Sequence, residues 1–149
     1  MEAETRKHIH QVSKYLNLLS CELIKRANQH DHSKMEDPEV SIFEKFTPLL
    51  KDSTYGSPEY NQFLTEMKPA LDHHYANNRH HPEYHEHGIK DMTLVDLLEL
   101  LADWKSASER HANGDVFRSI EINQQRFGYS DELKQIFINT IKDLLDISK

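Results

Sequence analysis

The chain has 149 residues, a length typical of one domain, and we expect a single domain over residues 1–149. Its 18 Lys and Arg against 25 Asp and Glu give a formal charge of −7, which argues against a general nucleic-acid-binding surface. The single Cys21, the charged N-terminus and the lack of a long apolar stretch predict a cytoplasmic protein without a membrane span.

Apolar residues at helical spacing run through most of the chain. The first predicted helix covers residues 5–30, where the apolar positions are Ile9, Val12, Leu16, Leu19, Leu23 and Ala27. Pro38 can open a second helix that runs to about Leu50. A third helix follows the N-cap Ser57 and ends near Asn78, with a kink or break expected at Pro69.

A polar segment and a capped helix follow. Residues 79–91 are polar, include Pro82 and Gly88, and are typical of a loop. Thr93 is the predicted N-cap of the next helix, with Asp96 at the capping-box position. The leucines of this helix predict an apolar side; they are Leu94, Leu97, Leu98 and Leu101.

Two glycines separate the last predicted helices. Gly114 and Gly128 mark the boundaries, and Ser130 caps the final helix. No segment shows the alternation of a β-strand. The sequence therefore predicts an all-α bundle of five to seven helices in one domain.

Eight of the eleven histidines lie in two clusters, one at residues 30–32 and one at residues 73–87. Imidazole and carboxylate are the ligands of zinc, iron and manganese centres. His30 and Asp31 lie where the first helix ends, so their adjacent side chains can converge on one ion. Ser33 and Lys34 follow and offer a hydroxyl and an ammonium to a phosphate. The alternative is a polar helix terminus, in which a histidine meets the helix dipole.

The second cluster contains three candidate metal ligands, His74, His80 and His81. Because His74 and Asn78 are four residues apart, they share a helix face. A histidine at a helix end and another a few residues later often bind one metal. The alternative is a solvated loop that binds metals adventitiously, and we assign His85 and His87 to such a loop.

The third set of candidates lies on the predicted helix after Thr93. Asp96, Glu99, Asp103 and Arg110 fall on one stripe opposite the leucines, and such a stripe usually faces solvent. Asp103 differs because it adjoins Trp104 and small residues that allow close packing. A buried carboxylate needs a partner such as a metal. We predict that Trp104 belongs to the core rather than to a ligand-stacking surface.

In chain order, the pattern of histidine, His-Asp, further histidines and Asp on helices resembles the HD-domain metal-dependent phosphohydrolases. Their motif is H…HD…D, with additional histidines when two metals are bound. The segments HDHSK, HxxxNxHHPEY and ELLADW are also similar to a family of small uncharacterised proteins of bacteria and their phages. This likeness extends over about residues 8–144.

The resemblance implies one or two divalent transition metals, drawn from manganese, iron, zinc, cobalt and nickel. It assigns His30, Asp31 and Asp103 to the first metal, and His74 with His80 or His81 to a second. Asp31 and Lys34 would be catalytic, and the residues that would bind substrate phosphate are Lys34, Asn78, Arg79 and Arg126. The first histidine of the motif would be His10 or His8, yet on an unbroken helix His10 lies about 30 Å from His30.

These observations predict a metal-dependent phosphohydrolase that acts on a small phosphorylated compound, with a nucleotide as the leading candidate. It would work in the cytoplasm of a bacterium or of a phage-infected cell, and a homodimer is compatible with the sequence. One alternative is an iron-dependent oxygenase on the same scaffold. The other is a non-catalytic accessory protein that binds a host partner or a nucleotide.

Overall fold

The structure is a computed structural model that describes residues 2–53, 57–110 and 114–146. These residues contain helices and no β-strand, so the predicted all-α class is confirmed. The α-helices among them are α1 (Glu2–Gln29), α2 (Glu39–Asp52), α3 (Pro58–Asn77), α4 (Leu94–Ser108), α5 (Val116–Phe127) and α6 (Asp131–Thr140). No helix in this part of the chain is both long enough and apolar enough to cross a membrane.

Residue contacts group the chain into two compact units, Met1–Arg79 and His80–Lys149. The first unit contains α1, α2 and α3, and the second contains α4, α5 and α6. The expectation of one domain over residues 1–149 stays a prediction.

Helix α1 is a single unbroken helix of 28 residues, close to its predicted range. None of its residues is buried, and its apolar residues are largely exposed. The Ser20 hydroxyl donates to the carbonyl of Leu16 without interrupting the helix. The fold-back that would bring His10 to His30 is therefore absent.

Helices α2 and α3 pack together through aromatic and small apolar residues. The ring of Phe46 lies 6.0 Å from that of Phe63, and Met67 and Ala70 are buried. Helix α3 begins after the predicted cap Ser57, whose side chain accepts from the Tyr60 amide. It continues through Pro69, so a break there is wrong, whereas a kink there stays a prediction. Proline has no backbone N–H, so α3 loses one backbone hydrogen bond at Pro69. The packing of the buried face of α3 stabilises the helix enough for it to continue.

A tight turn joins α1 to α2 and positions the His-Asp pair. Asp31 has a left-handed backbone with φ of 55°, and a short 3₁₀ helix, His32–Met35, follows it. Aspartate tolerates this conformation better than most residues that carry a β-carbon. The 3₁₀ helix contacts both α2 and α3. The turn therefore places the Asp31 side chain beside these two helices.

The core of the second unit is aromatic and aliphatic. Its buried members are Leu101, Val116, Ile120, Tyr129, Phe137 and Ile141. Trp104 stacks on Phe127 and meets Phe137 edge-on, with ring centroids 6.4 and 5.9 Å apart. The prediction that Trp104 belongs to the core is confirmed.

The capping box that begins α4 is present as predicted. The Thr93 hydroxyl accepts from the Asp96 amide, and the Asp96 carboxylate accepts from the Thr93 amide. Asp96 is fully buried, so its placement on a solvent-facing stripe is wrong. The apolar side that the leucines of α4 form is only partly buried, since Leu101 is 1% and Leu94 75% exposed.

The helix boundaries near the C-terminus agree with those predicted from Gly128 and Ser130. Asp115 caps α5, Gly128 ends it in a left-handed conformation with φ of 68°, and Ser130 caps α6. The last helix continues as a π-helical turn, Ile141–Leu145. The predicted loop at residues 79–91 contains two short 3₁₀ helices, Pro82–Tyr84 and Gly88–Asp91.

Replacing Thr93 with Ala should lower the free energy of unfolding by about 1 kcal/mol, because the cap of α4 is lost beside a buried carboxylate. Urea denaturation followed by circular dichroism measures this change. Thr47→Ala, at an exposed position inside α2, is the control and should not lower stability, because alanine favours a helix more than threonine does. Equal stability of the Thr93 variant and the wild-type protein would contradict the assigned cap.

Candidate metal centre

In the first unit, Asp31 lies between two imidazole rings. Its Oδ1 atom is 3.4 Å from Nε2 of His74, and its Oδ2 atom is 3.4 Å from Nε2 of His30. His74 comes from the last turn of α3, and His30 directly follows α1. The structure thus brings together three of the residues predicted as metal ligands.

Lys34 completes the surroundings of Asp31. Its Nζ atom lies 2.6 Å from Oδ2 of Asp31, and the lysine side chain is partly exposed. Burial raises the pKa of Asp31, but the hydrogen bond and positive charge of Lys34 outweigh it and hold that pKa below its usual value. Asp31 is therefore an ionised carboxylate at neutral pH.

Glu39, at the start of α2, is fully buried and joins the same cluster. Its two oxygens accept from Nδ1 of His73 at 2.7 Å and from Nδ1 of His74 at 2.8 Å. Burial raises the pKa of Glu39, yet the hydrogen bonds from His73, Ser33 and His74 hold it below its usual value. Glu39 is not identifiable as a site residue from the sequence, because an acid in the first turn of a helix is common without any further role.

Asn78 and Ser33 also lie beside His74, near the Nδ1 atom that contacts Glu39. The amide nitrogen of Asn78 donates to the Ser33 hydroxyl at 2.7 Å and to the His74 carbonyl at 2.8 Å. The two amide hydrogens thus have acceptors within the protein. These contacts support a positional role for Asn78, and its predicted role in substrate binding stays a prediction.

In the second unit, His80 is almost fully buried against α4. Its Nδ1 atom lies 3.3 Å from Oε1 of Glu99, and its Nε2 atom lies 3.9 Å from Oδ2 of Asp103. Glu99 and Asp103 are four residues apart and share one face of the helix. The His81 ring lies 4.1 Å from that of His80.

The prediction that Glu99 lies on a solvent-facing stripe of the helix is wrong. The Glu99 side chain is only 10% exposed because it lies against His80. The helical spacing to Asp103 was visible in the sequence. That His80 covers this face depends on the folding of residues 79–91, which helical periodicity does not describe.

The other residues that were predicted or considered for the site lie at the surface. Arg126 bonds to Glu83 and lies over the Phe127 ring. Arg79 is exposed. His87 bonds to Asp91 at the surface, which fits its assignment to a solvated loop. His10 is exposed on the unbroken α1, about 30 Å from His30.

Each unit therefore contains carboxylate and imidazole groups, which are the types of ligand that bind divalent transition metals. Burial lowers the pKa of His74 despite its bond to Glu39, so its ring is neutral at pH 7 and suited to metal binding. The resemblance to HD domains assigns ligands from both units to the same ions. That assignment stays a prediction.

Comparison with known proteins gives a family but no individual relative. The model of a family of unknown function, DUF5662, matches residues 1–145, which is nearly the whole chain. No curated protein and no solved structure matches the chain.

The lowered pKa of His74 predicts how the free energy of unfolding changes at acidic pH. The unfolded chain binds a proton at His74 near pH 6.5, whereas the folded protein binds it only at lower pH. Unfolding free energy should therefore fall as the pH drops below about 6.5, by at most about 1.4 kcal/mol per pH unit for this group. Urea denaturation between pH 7.5 and 5 in the presence of a chelator measures the slope.

His74→Gln should make this slope shallower, and His87→Gln, at an exposed histidine, is the control. An unchanged slope in His74→Gln would show that His74 does not titrate with folding as described.

Proposed function

The chain belongs to DUF5662, and we propose that it is a metal-dependent phosphohydrolase that acts on a small phosphorylated compound, with a nucleotide as the leading candidate. The observation that carries this proposal is the placement of an ionised Asp31 between the imidazoles of His30 and His74. The pair His80 and Asp103 in the second unit adds the same donor types. The likeness to HD domains supports the same reaction class.

The donor set suits one or two ions of manganese, iron, zinc, cobalt or nickel. His30, Asp31 and His74 are the ligands that the first unit would supply, and His80, His81 and Asp103 those that the second would supply. A bound ion would lower the pKa of a water molecule and polarise a phosphoryl oxygen. Asp31 would then hold the attacking water through its carboxylate.

Lys34 is the residue best placed to meet a phosphate. Its ammonium lies beside Asp31 and its side chain is partly exposed, so it can neutralise charge on a substrate that approaches Asp31. Charge neutralisation dominates phosphoryl transfer. The protein as a whole carries −7, so an anionic substrate needs such a local positive group. Arg79 is a second candidate because it is exposed between Asn78 and His80 in the chain.

The single exposed Cys21 suits a reducing compartment. We therefore propose action in the cytoplasm of a bacterium or of an infected host cell.

The first test is metal content and phosphate release in tag-free protein. We expect near-stoichiometric transition metal, and release of phosphate from at least one nucleotide after addition of manganese or cobalt. Asp31→Asn should remove both, because it keeps the left-handed turn but loses the ligand charge. Asp72→Asn, at an exposed aspartate paired with Lys68, is the matched control and should behave as the wild-type protein.

Three results would contradict the proposal. Protein that retains no metal under any of these conditions would do so directly. Metal-loaded protein that releases no phosphate from a broad panel of phosphorylated compounds would reject the reaction class. Iron-dependent oxygen consumption without phosphate release would favour the oxygenase alternative.

Helix α1 supports a homodimer as the partner in this proposal. Ile9, Val12, Leu16, Leu19 and Leu23 alternate at three and four residues, which gives a narrow stripe of the kind that forms a coiled-coil seam. Leu16 and Leu19 on this stripe are 59% and 50% exposed. A second copy of α1 offers the same stripe along about 42 Å of helix.

Light scattering after size-exclusion chromatography tests the dimer, which should have twice the 17.5 kDa of one chain. Leu16→Glu should give the monomer mass, because it places a charge in the seam. Leu18→Glu, at an equally exposed leucine outside the stripe, is the matched control and should leave the dimer intact. A wild-type monomer at high micromolar concentration would contradict this part of the proposal.

A further inference from the structure

The two units share one arrangement, in which a buried histidine lies between a glutamate and an aspartate. In the first unit, His74 has Glu39 at Nδ1 and Asp31 at Nε2. In the second, His80 has Glu99 at Nδ1 and Asp103 at Nε2. In both, the glutamate is on the Nδ1 side and the predicted aspartate ligand is on the Nε2 side.

We infer that Glu39 and Glu99 are positioning residues, which keep the ring proton of His74 and His80 on Nδ1 and so leave Nε2 as the metal-binding nitrogen. This inference rests on the proposed metal centre and names residues outside the predicted ligand set. A metal-binding histidine commonly donates its other ring N–H to a carboxylate, which fixes its tautomer and orientation.

The geometry at Glu39 determines which nitrogen of His74 carries the proton. An ionised carboxylate only accepts hydrogen bonds, so the Nδ1 atom 2.8 Å from Glu39 must be a donor. Glu39 is fully buried, and a buried carboxylate requires such donors. Asn78 and the Ser33 hydroxyl also lie 3.1 and 3.4 Å from this Nδ1 atom. The two amide hydrogens of Asn78 already reach Ser33 and the His74 carbonyl, and the Ser33 hydroxyl bonds to Glu39. His74 therefore need not accept at Nδ1.

The position of the proton on the His74 ring then determines the role of Nε2. His74 is buried, and an imidazole ring that carries its proton on Nδ1 has a lone pair on Nε2. The Nε2 atom lies 3.4 Å from Oδ1 of Asp31, an atom that is shielded from solvent. The lone pair and the carboxylate oxygen thus lie side by side, as two ligands of one ion would.

In the second arrangement, both carboxylates belong to helix α4. Glu99 and Asp103 are one turn apart, and the imidazole of His80 reaches from one to the other. His80 is 1% exposed, and its Nε2 atom is shielded from solvent. Because Glu99 occupies the Nδ1 side at 3.3 Å, the nitrogen that faces Asp103 is Nε2.

Replacing either glutamate with glutamine tests whether the glutamate positions the histidine proton or only packs against the ring. Glutamine has nearly the volume of glutamate, but its amide can donate to Nδ1, which drives the histidine proton to Nε2. A purely structural glutamate would tolerate either tautomer as long as the side chain is packed. The histidine tautomer is therefore the readout that a structural role would leave unchanged.

The experiment is long-range ¹H–¹⁵N NMR of metal-free protein labelled at histidine, with His74→Gln and His80→Gln used for assignment. In the wild-type protein we expect the Nδ1–H tautomer at both rings. Glu39→Gln should shift His74 toward Nε2–H and leave His80 unchanged, and Glu99→Gln should do the reverse. Glu44→Gln, at an exposed glutamate of α2, is the control. Each positioning variant should bind Zn²⁺ roughly 10- to 100-fold more weakly.

An Nε2–H tautomer at either ring in the wild-type protein overturns the inference, and this result needs no variant to fold. Unchanged tautomers in both glutamine variants also overturn it. Protein that shows the expected tautomers but does not bind Zn²⁺, Mn²⁺ or Co²⁺ rejects the metal centre itself and leaves the glutamates as structural. The two failures are therefore distinguishable.

Discussion

The first unit depends on one buried carboxylate, that of Glu39. Its two oxygens accept from the adjacent histidines His73 and His74, which ties the start of α2 to the end of α3. A carboxylate without donors would be costly at a fully buried position, so these two helices are held together by an electrostatic requirement as well as by apolar packing. The same contact sets the rotation of His74 and thereby the direction in which its Nε2 atom points.

The backbone around Asp31 completes this arrangement. The left-handed turn ends α1 abruptly and directs the Asp31 side chain toward His74, while Lys34 returns one helical turn later to neutralise it. A left-handed residue with a β-carbon costs free energy, and such conformations often occur at functional sites. The turn therefore agrees with the chemistry proposed for Asp31, since a glycine would fit the backbone more easily but would bring no carboxylate.

The second unit reaches a similar grouping by other means. Its aromatic core around Trp104 and Phe137 holds α4 in place, and the opposite side of α4 presents Glu99 and Asp103 to His80. In the second unit, helical spacing places both carboxylates on one face of α4. In the first unit, the histidine and the two carboxylates come from a turn and two separate helices. Two different local folds thus place a histidine between a glutamate and an aspartate, which is why we assign both glutamates the same role.

The sequence by itself determined the helical class, the boundaries of most helices and the residue types of the proposed metal centre, because caps, prolines and apolar spacing act locally. Thr93 and Ser130 cap helices as predicted, and His30, Asp31, His74, His80 and Asp103 were all identified as candidates from chain order and the resemblance to HD domains. Only the tertiary structure decided that Glu39 and Asp96 are buried and that Glu99 is largely covered. It also decided that α3 continues through Pro69 and that α1 is too straight for His10 to meet His30. The physical reason is that a charged residue on a helix faces solvent or a neighbouring element according to what packs against it, and local periodicity contains no information about that neighbour.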